Sequence, residues 1–146
     1  MSKTLSCTFQ ITCDPEVLLD LASRPLLAPA YLNFLETIEP GQGLTADSDW
    51  APYTVRVAYR SILKTSGLVE HRVDKAARAA HLRHDGPLAQ FEAIYRIIDH
   101  QVELNCAYTT KVPLVSWLVR TVLNRALVQI AAAMDRYAAS RTAAPT

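Results

Sequence analysis

The chain has 146 residues, half of them apolar and a fifth charged, with a formal net charge of +1. This composition predicts one globular domain with a single core rather than a disordered chain. The near-neutral charge gives no electrostatic case for nucleic acid or an anionic membrane as a partner. No stretch approaches the ~20 apolar residues of a membrane span. No signal peptide is visible, so we expect a cytoplasmic protein without an integral membrane segment.

The first segment, residues 5–13, alternates apolar and polar side chains, which predicts a strand with one buried face. A helix should begin directly after it, because Asp14 can cap the first turn and the fixed φ of Pro15 suits a helix start. Pro25 ends this helix. Residues 26–39 then predict one or two further turns of helix and a short strand.

After a polar loop over residues 40–52, the sequence predicts strands joined by tight turns. In two of these strands, one containing Tyr59 and the other His71, the side chains alternate between two faces, and a third strand covers residues 78–84. Asp85-Gly86 is a strong hairpin signal, because a type I′ turn requires positive φ at both central positions. A two-residue turn there predicts three strand pairs, which are His84 with Pro87, Leu82 with Ala89, and Ala80 with Phe91.

The following strand gives a second test of the same inner face. A two-residue turn at Asp99-His100 places apolar residues opposite one another and leaves the opposite face polar. The predicted apolar pairs are Ile97 with Val102, Tyr95 with Leu104, Ala93 with Cys106, and Phe91 with Tyr108. Two successive turns therefore predict one consistent inner face.

The last long segment, from Pro113 to about Arg141, predicts a helix followed by a disordered tail. Its apolar stripe consists of Val115, Val119, Val122, Ala126, Ile130, Ala133 and Tyr137. Asp135 lies off this stripe, and Trp117 and Val128 lie on the polar side of the helix. For these two, packing against an outer loop is the default expectation, with a homodimer contact and a cavity rim as alternatives.

These elements predict a single α+β domain over residues 1–146. It should contain a curved antiparallel sheet of about six or seven strands, two short helices after the first strand, and a long C-terminal helix against the sheet. In residues 9–21, the first strand runs directly into a helix opened by Pro15-Glu16. This segment and the element order resemble the helix-grip fold of the START and Bet v 1-like (SRPBCC) superfamily. Within it, the chain is similar to small prokaryotic members related to polyketide cyclases, quinone-binding proteins and the G-type subunits of carbon monoxide dehydrogenase.

The resemblance implies an apolar cavity between the sheet and the C-terminal helix. The residues expected to line it are Val57, Tyr59, Val69, His71, Phe91, Tyr95, Cys106, Tyr108, Val115, Val119 and Leu123. The expected partner is a small hydrophobic molecule, such as a lipid, a quinone or an aromatic metabolite. Two alternatives stay open, which are a cyclase- or dehydratase-like enzyme on the same scaffold and an interaction protein with a filled core.

The pattern places one histidine, His71, on the inner face. A neutral imidazole offers one donor and one acceptor to a ligand carbonyl or hydroxyl. The alternative is a core histidine bonded to a tyrosine. The same choice applies to Tyr59, Tyr95 and Tyr108, whose hydroxyls can reach either a ligand or the backbone.

No cofactor, metal site or catalytic residue is predicted. Cys7, Cys13 and Cys106 lack metal-ligand spacing and are interpreted as reduced core thiols. His81 and His84 are three residues apart, which on a strand points them to opposite faces. No serine shows a His–Asp partnership that would make it a nucleophile.

Overall fold

The structure, a computed structural model, describes residues 2–41, 50–59, 63–86 and 89–143, with the backbone alone described at Ser2, Tyr59, residues 63–66, Val115 and residues 141–143. Within those ranges, seven strands form one curved antiparallel sheet. They are β1 (Ser2–Gln10), β2 (Leu35–Pro40), β3 (Ala51–Tyr59), β4 (Leu63–Asp74), β5 (Ala79–Asp85), β6 (Ala89–Ile98) and β7 (Gln101–Thr110). The order across the sheet is β1-β7-β6-β5-β4-β3-β2, so β1 and β2 are the edges.

The helices lie where the sequence predicts them. They are α1 (Pro15–Ala22), α2 (Ser116–Ala143) and two 3-10 helices, at Pro25–Ala30 and Pro113–Val115. The carboxylate of Asp14 accepts a hydrogen bond from the backbone N–H of Glu16 at 2.9 Å, which confirms the predicted cap. The predicted tail falls on residues 144–146, outside the described residues, and on the last turn of α2.

The hairpin at Asp99-His100 has the predicted register. β6 and β7 pair Ile97 with Val102, Tyr95 with Leu104, Ala93 with Cys106, and Phe91 with Tyr108. Asp99 has a positive φ of 53°, as a tight turn that follows the strand twist requires. The inner face predicted from this turn is confirmed.

The predicted two-residue turn at Asp85-Gly86 is wrong. In that turn Pro87 would stand opposite His84 and would have to donate a backbone N–H, which proline lacks. Instead, the N–H of Gly86 donates to the carbonyl of Ala89 at 2.9 Å, and β5 meets β6 four residues further along. An even shift keeps every side chain on its predicted face. The observed pairs are His84 with Phe91, Leu82 with Ala93, and Ala80 with Tyr95.

Helix α2 packs on the inner face of the sheet mainly through its second half. The buried positions on it are Leu127, Ala131, Ala133, Asp135 and Ala138, whereas no described residue from 116 to 126 is buried. Leu127, placed beside the predicted stripe, is the most deeply covered large side chain of the helix, while Ile130 is only partly buried. The buried arc is therefore wider than the predicted stripe.

Asp135 is buried, which contradicts its predicted position off the apolar stripe. Its carboxylate accepts hydrogen bonds from the backbone N–H and the hydroxyl of Thr12 and from the backbone N–H of Cys13, at 2.9–3.0 Å. Burial alone would raise the pKa of Asp135, but these bonds and one from the Cys13 thiol outweigh it and hold the pKa below its ordinary value. The carboxylate thus ties the C-terminal helix to the link between β1 and α1.

Candidate ligand-binding site

A row of inner-face side chains crosses the sheet near the start of α2. Directly paired residues of adjacent strands point to the same face. Tyr108 on β7 pairs with Phe91 on β6, and Phe91 pairs with His84 on β5. On the other side, Tyr108 pairs with the exposed Lys3 on β1. The row therefore runs from a charged edge through two aromatic rings to a histidine.

Tyr108 is the largest side chain that is almost completely buried, with 2% of its surface exposed. It lies in an apolar cluster with Leu104, Cys106 and Leu127, against which Val119 and Leu123 of α2 also pack. Its hydroxyl has no hydrogen-bond partner among the residues that the structure describes. A buried polar group left unpaired costs about 1–3 kcal/mol. The hydrogen-bonding capacity of this hydroxyl is therefore unsatisfied within the described part of the chain.

Tyr95 lies on the same face, two inner-face residue pairs away from Tyr108, and is engaged differently. Its hydroxyl donates to the backbone carbonyl of Leu127 at 3.0 Å. Burial raises the pKa of Tyr95 well above its ordinary value, so the phenol stays protonated and keeps this bond. Tyr95 thus fastens α2 to the sheet.

His71 lies on the inner face, as predicted, but it faces α1. Its ring packs edge-on against Tyr53, with the ring centroids 6.3 Å apart, and it bonds the backbone of Ala22 at the end of α1. Burial lowers the pKa of His71 from 6.5 to about 4, although the bond to Ala22 works in the opposite direction. The ring is therefore neutral at physiological pH and joins α1 to β4. It is bonded to backbone, not to a tyrosine as the alternative interpretation expected.

His84 is a second inner-face histidine, which the sequence analysis missed. Its Nδ1 donates to the carbonyl of Leu68 at 2.8 Å, which leaves Nε2 outside this bond. The ring lies 5.8 Å from that of Phe91, centroid to centroid. Gly86 leaves it room, since a Cβ there would approach Nε2 to 2.5 Å. The alternation of His84 with Ala80 and Leu82 was the signal for this face, and the lack of an N–H at Pro87 moves the register so that His84 pairs with Phe91.

The other predicted site residues fall into three groups. Phe91, Cys106, Val119 and Leu123 join Tyr95 and Tyr108 in one cluster, whereas Val57 packs in a different cluster with Ala133 of α2. Val69 lies between Tyr53 and His84 on the inner face. The side chains of Tyr59 and Val115 lie outside the described residues.

The chemistry of this face is apolar with few polar tips. Burial raises the pKa of the Cys106 thiol to about 12, so it is not a nucleophile at neutral pH. Among the described residues, no group of histidine, cysteine, aspartate and glutamate side chains has the geometry to hold a metal ion. The face is therefore apolar, with the phenol hydroxyl of Tyr108 as a polar group that has no partner among the described residues.

A groove of about 350 Å³ is lined mainly by residues of the outer face of the sheet. Its wall carries Glu70, Arg83, Asp85 and Glu92, and Arg83 forms two hydrogen bonds with Glu70 at 3.0–3.1 Å. The charged lining makes this groove unsuited to a hydrophobic molecule. Its lining also includes His84, Phe91 and Tyr108, so the groove borders the aromatic row of the inner face.

Together, the seven-stranded sheet and the C-terminal helix packed against it define the helix-grip fold of the START and Bet v 1-like superfamily. No family model and no curated protein matches the sequence. The structure is similar to that of the ZhuI aromatase/cyclase from Streptomyces sp. R1128, with a TM-score of 0.80, 13% identity, and coverage of 99% of this chain and 98% of that one.

Two further solved structures share this fold. The major latex-like protein 151 of Panax ginseng has a TM-score of 0.77 and 12% identity, covering 94% of this chain and 97% of that one. A START superfamily protein from Mycobacterium smegmatis has a TM-score of 0.69 and 11% identity, covering 92% and 96%. In the described part of the chain, no helix is long and apolar enough to cross a membrane.

Proposed function

We propose that this protein binds a small hydrophobic molecule, such as a lipid, a quinone or an aromatic metabolite, between the sheet and the first half of α2. The ligand would carry one hydrogen-bonding group. The observation that carries the proposal is the hydroxyl of Tyr108, which is buried in an apolar cluster and has no partner. A ligand carbonyl or hydroxyl at this point would supply the missing bond.

The burial pattern of α2 supports the same location. Leu127 and buried residues beyond it pack the second half of the helix on the protein interior. Val119 and Leu123, in the first half, pack on the inner-face cluster but are only partly buried. A helix that is less covered near its start leaves apolar side chains for a ligand to cover. The unpaired Tyr108 hydroxyl lies in the cluster that includes Val119 and Leu123.

A cyclase- or dehydratase-like enzyme is the alternative on this scaffold, and one similar structure is an aromatase/cyclase. General acid–base catalysis needs a polar pair facing the substrate. Of the polar inner-face side chains described, His71 and Tyr95 are already bonded to helix backbone, and His84 uses one nitrogen on Leu68. A single free hydroxyl at Tyr108 favours binding over catalysis, and its lack of a partner argues against a filled core made for interaction alone.

We also propose a cytoplasmic location. Cys7, Cys13 and Cys106 are free thiols, and burial raises the pKa of each of them. Such buried, unreactive thiols fit a reducing compartment.

An environment-sensitive apolar dye should bind the folded protein and be displaced by fatty acids or quinones. Leu123→Trp fills the proposed space, and we expect it to weaken dye binding about tenfold, because overpacking an interior usually costs ~1–3 kcal/mol. Fluorescence titration measures both effects.

The matched control is Asn124→Trp, which adds the same ring at the next position, on the exposed side of α2. Dye affinity should be unchanged in this variant, and circular dichroism should show both variants folded. If the folded wild type binds no apolar probe, or if both tryptophans weaken binding equally, the proposed site is wrong.

A further inference from the structure

The outward side of the α2 start carries large apolar side chains that are exposed to solvent. We call this set the apolar ridge, and it consists of Val112, Leu114, Trp117, Leu118 and Val128. Leu114 is 87% exposed and Trp117 is 69% exposed. Packing of Trp117 against an outer loop, the default expectation from the sequence, therefore does not occur within the described residues. Clustered exposed apolar residues of this kind mark an interaction surface.

The ridge residues lie on one side of the chain, and the exposed polar residues Thr121, Asn124 and Arg125 separate Val128 from the others. Trp117 and Val128 are eleven residues apart, which is close to three full turns, and Leu114 lies one turn before Leu118. The opposite side of the same turns carries Val119 and Leu123, which face the sheet. The start of the helix therefore carries large apolar side chains on its solvent side as well as toward the core.

The charged residues within the segment that carries the ridge are all basic. From Lys111 to Met134 the sequence holds the basic residues Lys111, Arg120 and Arg125 and no acidic residue. Lys111 pairs with Asp85, whereas Arg120 and Arg125 are exposed. The net charge of +1 for the whole chain conceals this local excess. Exposed arginines beside apolar residues are typical of segments that bind an anionic lipid surface.

A second copy of the chain would fit this surface less well. A two-fold dimer brings the same patch of both copies together, so the arginines of one copy would lie near those of the other without acidic partners on this segment. A lipid bilayer has no such conflict. The indole of Trp117 has an apolar body and one N–H donor, which is the combination enriched at the membrane–water interface.

We propose that the apolar ridge docks the protein peripherally on an anionic lipid bilayer, with Leu114 and Trp117 entering the interface and Arg120 and Arg125 contacting lipid headgroups. This proposal goes beyond ligand binding and does not depend on it. Docking would place the start of α2, and with it the inner-face cluster around Tyr108, beside the bilayer.

Sedimentation with vesicles tests the docking. The wild type should be retained on phosphatidylcholine vesicles that contain phosphatidylglycerol and much less on phosphatidylcholine alone. Leu114→Ser should weaken retention about tenfold, because a leucine leaves the apolar phase. Leu26→Ser is the matched control, since Leu26 is 51% exposed and also lies in a short 3-10 helix, away from the ridge. Its retention should be unchanged.

Two further measurements separate the contributions. In a Trp50→Phe variant only Trp117 remains as a tryptophan, and its emission should shift to shorter wavelength on the mixed vesicles. A double variant, Arg120→Gln with Arg125→Gln, should lose the preference for phosphatidylglycerol. No retention on either vesicle, equal loss with Leu26→Ser, or a dimer in sedimentation equilibrium that Leu114→Ser dissociates while vesicles are not bound would each overturn the proposal.

Discussion

Replacing Leu127 with alanine should lower the free energy of unfolding by about 2–5 kcal/mol, the usual range for truncating a large buried side chain. Only 1% of Leu127 is exposed, and it packs between α2 and the inner face of the sheet, in the cluster that contains Tyr108. Its backbone carbonyl also receives the hydroxyl of Tyr95, so a collapse around the smaller side chain would disturb that bond. Urea unfolding followed by circular dichroism measures the change.

Val128→Ala is the matched control for this prediction. Val128 is the next residue and lies on the exposed side of the helix, so its loss should change the free energy of unfolding by less than about 1 kcal/mol. Equal losses at the two positions would mean that helix propensity, and not burial of this side, determines the stability of α2.

Asp135→Ala should destabilise the protein by about 2–4 kcal/mol. The change leaves the backbone N–H groups of Thr12 and Cys13 without their acceptor, and hydrogen bonds to a charged group contribute about 1.5–3 kcal/mol each. Asp135→Asn keeps the shape but replaces one acceptor oxygen with a donor, so it should also destabilise. Arg136→Ala, at the adjacent exposed position, serves as the control and should have little effect.

The contribution of Asp135 should depend on pH in a defined direction. Its pKa in the folded protein lies below the ordinary value of 3.8, so the unfolded chain takes up a proton first on acidification. The stabilisation is fully present above that value and disappears as the pH falls through the folded pKa. The difference between wild type and Asp135→Asn should therefore shrink below about pH 4. A constant difference from neutral to acidic pH would contradict the assigned role of the carboxylate.

The fold could be predicted largely because its strongest signals are local. The start of α1 is determined by two adjacent residues, Asp14 as the cap and Pro15 as the first helical residue. The turn at Asp99-His100 predicts a register for β6 and β7 that agrees with their alternation of apolar and polar residues. Asp85-Gly86 also favours a two-residue turn, but the missing N–H of Pro87 prevents its expected pairing with His84. By periodicity, the carboxylate of Asp135 is expected to face solvent. The partners that allow its burial, Thr12 and Cys13, lie more than 120 residues away in the sequence, so the local pattern gives no sign of them.

The candidate site could be predicted only in part, for a related reason. Alternation places Tyr95, Tyr108 and His71 on one face, but it cannot say which polar tip is already bonded. The distinction depends on where α2 and α1 lie, since the carbonyl of Leu127 takes the hydroxyl of Tyr95 and the backbone of Ala22 takes His71. Only Tyr108 among these three is left with an unpaired buried atom.

The most direct test of ligand binding at Tyr108 compares two ligands of nearly equal shape, 2-acetylnaphthalene and 2-ethylnaphthalene, in wild type, Tyr108→Phe and Tyr95→Phe. The ketone can accept a hydrogen bond from a phenol, whereas the hydrocarbon cannot. The ratio of the two affinities, measured by dye displacement, should fall about 3- to 10-fold in Tyr108→Phe, the effect of losing one hydrogen bond. It should be unchanged in Tyr95→Phe, whose hydroxyl is bonded to α2. An unchanged ratio in Tyr108→Phe, or no binding of either ligand, would contradict the assignment.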